Sequence, residues 1–168
     1  NKDTYDYFGH PVYEYSLKQG IEDGFLAPYM IHRVNLEIDT VGYIPKPGEK
    51  DLDGKLLENR KYGYKDFDRI LIVDERRKAV AKHLTDFLEK NGKYSKTILF
   101  CQNSEHALAM TKLLRNYSGE DYNYAVRIVS AEGEIGLEHL SKFQEPNTDF
   151  PVIAVTSRLL STGVDVPT

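Results

Sequence analysis

Thiols are almost absent from this sequence: Cys101 is its one cysteine, so no internal disulfide can form. The five histidines, His10, His32, His83, His106 and His139, are scattered without the spacing of a metal-ligand set, which argues against a zinc site. No apolar run approaches the roughly 18 residues that a membrane-crossing helix needs, and no charged-then-apolar leader opens the chain. A soluble, cytoplasmic protein without membrane attachment is therefore expected. A basic excess is missing too: the net charge is −4, whereas a domain coated for nucleic acid usually has a pI above about 9. Any nucleic acid must be bound by one face or cleft through local groups. A Gly-rich phosphate loop ending in Gly-Lys-Ser/Thr is absent, as is an Asp-Glu-X-His box for a metal.

What is present is ordinary globular material. A domain of 168 residues, 40% hydrophobic and 29% charged, buries roughly 70% of the surface its unfolded chain exposes and needs no staples. From about residue 70 onward, short β-branched or aromatic runs alternate with stretches of helical spacing, the pattern of βαβ units and a parallel sheet. The strands are expected at Thr97–Cys101, Tyr124–Val129 and Val152–Thr156. The first is nearly all apolar, as in a central strand covered on both faces.

Three helices fit between and before them. One spans about Glu75 to Lys90 on a stripe of Val80, Leu84, Phe87 and Leu88, with Asn91-Gly92 as its stop. Another spans Glu105 to about Tyr117, with Ser104 as N-cap and Ala107, Leu108, Met110, Leu113 and Leu114 facing inward. The last carries Ile135, Leu137, Leu140 and Phe143, and Pro146 closes it. Near the start, Pro11–Tyr15 reads as a strand, Leu17 to about Asp23 as a short helix ended by Gly24, and Tyr29–Ile38 as an extended run. Residues 39–68, punctuated by Pro45, Pro47, Gly48, Gly54 and Gly63, read as an irregular or hairpin excursion. Asp74-Glu75 after Ile70–Val73 imitates a metal-holding box but lacks its later partners, so Ile70–Val73 is read as packing and Asp74 as a helix cap.

The polar strand ends carry the functional signal. In an open parallel sheet, ligands bind beyond the carboxyl ends of the strands. There the sequence places Gln102, Asn103 and Ser104, then Ser130, then Thr156, Ser157, Thr162, Gly163 and Asp165. Hydroxyls and helix-start N–H groups suit phosphate oxygens, and a carboxylate suits a ribose hydroxyl. Residue chemistry alone leaves a second reading open at each place: Thr156, Ser157, Ser104 and Ser130 as caps, Gly163 as a turn, Asp165 as surface. Cys101 and His106 lack a third orienting group for a nucleophilic pair. Arg76-Arg77-Lys78 opens a helix where basic charge opposes the macrodipole, either a phosphate contact or a solvated face.

Thr156-Ser-Arg-Leu-Leu-Ser-Thr-Gly-Val-Asp-Val-Pro167 resembles motif V of superfamily 2 helicases. Its nine-residue step from Thr156 to Asp165 is similar to the form in UvrB and type I restriction motors rather than the shorter DEAD-box form. Lys96-Thr-Ile-Leu-Phe-Cys-Gln-Asn-Ser-Glu-His-Ala107 resembles motif IV, and Ile128-Val-Ser-Ala-Glu-Gly133 a further turn that the family brings toward nucleic acid. The run Tyr7-Phe-Gly-His-Pro-Val-Tyr-Glu-Tyr-Ser-Leu-Lys-Gln-Gly-Ile-Glu-Asp-Gly-Phe-Leu-Ala-Pro-Tyr29 resembles the segment after the first motor domain of type I restriction subunits. Its tyrosines either pack a seam between domains or stack on bases.

The resemblance implies an α/β fold, with a RecA-like parallel sheet flanked by helices. Residues 1–38 would lead out of a first motor domain, 39–68 would be the insertion, and 69–168 a partial second RecA-like domain cut before motif VI. Both ends are expected to be cut from something longer. Also implied are double-stranded DNA as partner, modification and specificity subunits, and an ATP-dependent translocase within an endonuclease. ATP would meet Gly163 and Asp165, while Mg²⁺ would be held mainly by the missing domain. No catalytic residue falls within this stretch by that reading, so the piece alone should be inactive. DNA contacts are implied at Gln102, Asn103, Ser104, Ser130, Thr156, Ser157 and Thr162. Another superfamily 2 motor, UvrB-like, and a non-catalytic doubly wound ligand-binding module are the alternatives.

Overall fold

The computed structural model describes residues 9–157 and 160. They fall into two compact units, divided between Val34 and Asn35. In the first, α1 (Leu17–Glu22) begins at a full capping box: the Ser16 side chain accepts from the Gln19 amide, and the Gln19 side chain reaches back to the Ser16 amide. Pro11–Tyr15, read above as a strand, is not one, because no second strand lies alongside it among the described residues and a lone strand leaves its polar backbone unpaired. Its side chains stay exposed.

The second unit holds the sheet. β1 (Thr97–Phe100), β2 (Ala125–Arg127) and β3 (Ile153–Thr156) run parallel in the order β1-β3-β2. The register pairs Phe100 with Thr156 and Arg127 with Val155. β3 is buried along its whole length and its side chains divide between two clusters, as the period of two requires. Ile153 and Val155 pack with Ala81, Leu88, Met110 and Leu114 on one face, and Ala154 packs with Val126 and Phe143 on the other. The central place expected for β1 belongs to β3. Among the described strands β1 is an edge, and Ile98 and Phe100 remain exposed on it.

The helices lie where their spacing put them, with corrections on their faces. α3 (Asp74–Asn91) and α4 (Ser104–Ser118) pack together and cover the first sheet face, and α5 (Glu134–Gln144) covers the second. Short α2 (Glu37–Val41) takes the last two residues of the run expected to stay extended. In α5 the buried positions are Gly136 and Phe143, while Ile135 and Leu137 are exposed. Two residues apart is a poor match to a helix's 3.6-residue turn, so 135 and 137 could not both share the face of 140 and 143. Gly136 fits because a Cβ there would meet the Val129 carbonyl at 3.1 Å. Phe87 likewise points outward on α3, where Ala81, Thr85 and Leu88 make the contact.

Residues 35–73 form a small core of their own, Tyr62, Phe67, Leu71 and Val73, with Tyr43 and Tyr62 exchanging backbone hydrogen bonds of 2.8 Å. Antiparallel bridges at Tyr43–Tyr62 and Lys50–Leu56 give this excursion a hairpin-like course. Leu71 and Val73 are packing residues as expected, but Asp74 is not a cap. Val73 holds that position, without a side-chain bond, and Asp74 is the first helical residue, where its charge suits the positive end of the dipole. Among the described residues no helix is long and apolar enough to cross a membrane.

Candidate functional site

Because all three strands are parallel and end in register, the segments leaving them emerge at one edge. Gln102, Asn103 and Ser104 follow β1, Ser130 follows β2, and Ser157 follows β3. The structure therefore brings together every described residue singled out for DNA contact. Thr162, Gly163 and Asp165 lie outside the described residues.

Thr156 closes the central strand. It is fully buried, its carbonyl accepts the Cys101 amide at 2.7 Å, and its hydroxyl is the one buried side-chain oxygen without a hydrogen-bond partner among the described residues. Native proteins leave few buried polar atoms unsatisfied, since each costs roughly 1–3 kcal/mol. Such an atom at the ligand edge of a parallel sheet is a natural place for a bound group.

At the end of β1 the polar turn is committed differently from expectation. Asn103, not Ser104, is the N-cap of α4: its side-chain oxygen accepts the His106 amide at 2.8 Å, and its side-chain nitrogen donates to the Asp68 carbonyl at 3.2 Å. Ser104 starts the helix, and its carbonyl takes a bond from Arg127, which in turn is ion-paired to Glu132. Gln102 donates its amide to His106 Nδ1 at 3.3 Å, while its side chain is exposed and has no hydrogen-bond partner among the described residues. Ser130 is exposed and opens a short 3-10 turn (Ser130–Glu132); the cap of α5 is Gly133, so Ser130 does not cap that helix.

Arg76 and Arg77 point inward, which leaves them neither a phosphate contact nor a solvated face. Arg76 binds Asp39 at 2.6 Å and Arg77 binds Asp68 at 2.5 Å, with Asp68 itself 2% exposed. Asp68, Arg76, Cys101, Gln102 and His106 line a cavity of about 290 Å³. Cys101 is no nucleophile there: burial, reinforced by the Asp68 charge, pushes its thiol up to about 12, and burial lowers the pKa of His106, which keeps the ring neutral. A thiolate that forms only near pH 12 is scarcer at pH 8 than that of a free cysteine by roughly a thousandfold. Iodoacetamide should accordingly alkylate native Cys101 at least about a hundredfold more slowly than the unfolded chain, measured by mass spectrometry against time; equal rates would show the thiol to be open.

Among the described residues no group of three or more His, Cys, Asp or Glu side chains is placed to hold a metal. No family model matches the chain. It is 46% identical, over 97% of its length, to the endonuclease subunit of the type I restriction enzyme EcoAI from Escherichia coli. It is 28% identical, over 98% of its length, to the EcoKI endonuclease subunit of Escherichia coli strain K12. The chain is homologous to part of the type I restriction endonuclease subunit. It spans 20% and 15% of those two subunits. A solved fragment assigned as the HsdR subunit of a type I restriction enzyme from Vibrio vulnificus YJ016 matches over 99% of this chain and 29% of that one, with a TM-score of 0.68 and 41% identity. The α/β architecture, a parallel sheet flanked by helices, is thus that of an endonuclease-subunit fragment as well.

In this relative of the restriction endonuclease subunits, Asp68 stands out in the structure and not in the sequence. Nothing in Phe67-Asp68-Arg69 marks it as buried, and its left-handed backbone, φ 59°, appears only in three dimensions. One signal was present: two arginines in the first turn of a helix oppose its dipole, and such a pair needs a nearby carboxylate.

Proposed function

We propose that the chain is part of the second RecA-like domain of an ATP-driven double-stranded-DNA translocase, within the endonuclease subunit of a type I restriction enzyme. The carrying observation is the buried, unpartnered hydroxyl of Thr156 at the carboxyl edge of the central strand. In the bound state a phosphate oxygen of the DNA backbone accepts from that hydroxyl, which is fully buried in this structure and is uncovered for the contact. Ser104, Ser130, Ser157 and the exposed Gln102 side-chain carboxamide lie on the same edge and add neutral donors. Asn103 serves by holding the turn, since its side chain is already engaged on both ends.

This division of labour suits a chain with net charge −4: the grip is local and weak, as a motor that must release at every step requires. ATP belongs to Gly163 and Asp165 by the motif V resemblance, with phosphates and Mg²⁺ held mainly by a first motor domain. Closure of the two domains on ATP and reopening after hydrolysis advance the DNA. Modification and specificity subunits complete the cytoplasmic assembly. The two restriction subunits among its relatives favour this reading over a UvrB-like repair motor or a binding module.

Thr156→Val in the full-length subunit separates function from folding. The isosteric valine removes an unsatisfied hydroxyl, so thermal stability should hold or rise. DNA-stimulated ATPase activity should fall about tenfold at subsaturating DNA, the worth of one hydrogen bond to a charged acceptor at roughly 1.5–3 kcal/mol. Unchanged stimulation would remove the DNA reading of this edge.

A further inference from the structure

Asp68 uses every polar atom it has. Its amide donates to the Leu71 carbonyl at 2.8 Å, and its carbonyl accepts from Asn103 at 3.2 Å. One carboxylate oxygen accepts from Arg77 Nε at 2.5 Å; the other lies 3.7 Å from Arg76 and 3.6 Å from His106 Nε2. Those partners come from the first turns of α3 and α4, while Asp68 itself sits beside the small core of residues 35–73.

The contacts close into a ring around the Gln102 turn. Because the Gln102 amide donates to Nδ1, the neutral imidazole of His106 carries its proton on Nε2, facing Asp68. The same histidine donates its own amide to Asn103, whose side chain returns to the Asp68 carbonyl. Directional bonds of this kind fix an orientation, where an apolar contact of equal area would fix only a distance. Gln102 is left with its amide tied inward and its side chain turned to solvent.

We propose that Asp68 is a positioning residue for nucleic-acid binding: it holds the Gln102–Ser104 turn in its binding orientation, so residues 35–73 tune DNA affinity without touching DNA. This rests on the reading of the strand-end edge as a DNA contact. The charges around Asp68 are matched internally, Arg77 and Arg76 against Asp68 and Asp39, so they offer a phosphate little attraction, and the effect must pass through the turn.

The test is a double-variant cycle in the full-length subunit, with duplex DNA affinity read by fluorescence anisotropy at fixed salt. Asp68→Asn keeps the shape and tolerates the left-handed backbone. It should weaken binding about tenfold alone, and by twofold or less when Gln102→Ala and Ser104→Ala are already present, because coupled residues are not additive. Its melting temperature should drop equally in both backgrounds, a readout that a purely structural role would match in affinity. His106→Gln leaves the Asp68–Arg77 pair in place and should weaken binding about fivefold if Asp68→Asn fails to fold. Unchanged affinity in both single variants, or equal losses in both backgrounds, would overturn the assignment. If Thr156→Val and the Gln102/Ser104 pair also leave affinity untouched, the DNA reading itself falls with it. If they weaken binding while Asp68→Asn does not, only the positioning role is lost.

Discussion

Arg77→Met should destabilise the chain by about 3–5 kcal/mol, the usual cost of removing one partner of a buried ion pair. The side chains of Arg77 and Asp68 are 9% and 3% exposed and meet at 2.5 Å. With Arg77 gone, the Asp68 carboxylate keeps only Arg76 at 3.7 Å and His106 at 3.6 Å, and Arg76 is already bound more closely by Asp39, at 2.6 Å. Methionine fills the space of the arginine stem, so the loss reports the stranded charge rather than a cavity. Adding Asp68→Asn to Arg77→Met removes that charge and should recover about half of the loss. Urea midpoints at constant slope measure both. A cost below about 1 kcal/mol for the single variant would mean that water reaches Asp68 and that the pair is a surface one.

Phe143→Ala should cost a similar amount, about 3–5 kcal/mol, for a different reason. The ring is 1% exposed and packs against Val126, Ile128, Ala154 and Leu160. It is the main apolar contact that α5 offers the second sheet face, so truncation leaves a cavity that the sheet cannot close. Phe87→Ala on α3 removes an equally large ring that is 40% exposed and should cost less than about 1 kcal/mol. Equal losses would show that α5 is not seated as described.

Local pattern was enough for the element order from residue 74 onward. Each strand is a short β-branched or aromatic run, and each long helix is a stripe with an end signal, properties that neighbours along the chain decide. That is why α3, α4 and α5 begin and end within about two residues of the expected places. The gathering of Gln102, Ser130 and Thr156 at one edge was legible as well, because parallel strands joined by helices have only one carboxyl edge. The motif resemblance to type I restriction subunits was carried by contiguous residues and agrees with the relatives found.

Tertiary structure alone decided which strand is central, which caps are used and where charge is buried. An apolar run such as Thr97–Cys101 looks the same at the centre of a sheet and at its edge until the other strands take their places. Ser104 and Asn103 are both good caps in sequence; the Asp68 carbonyl, 35 residues away, selects Asn103 by taking its side-chain nitrogen. The same long-range packing turned Arg76 and Arg77 from a basic surface into counterions for Asp39 and Asp68. Sequence determines what each segment can form by itself, and the contacts between distant segments decide which polar groups are spent on folding and which, like the Thr156 hydroxyl, are left over.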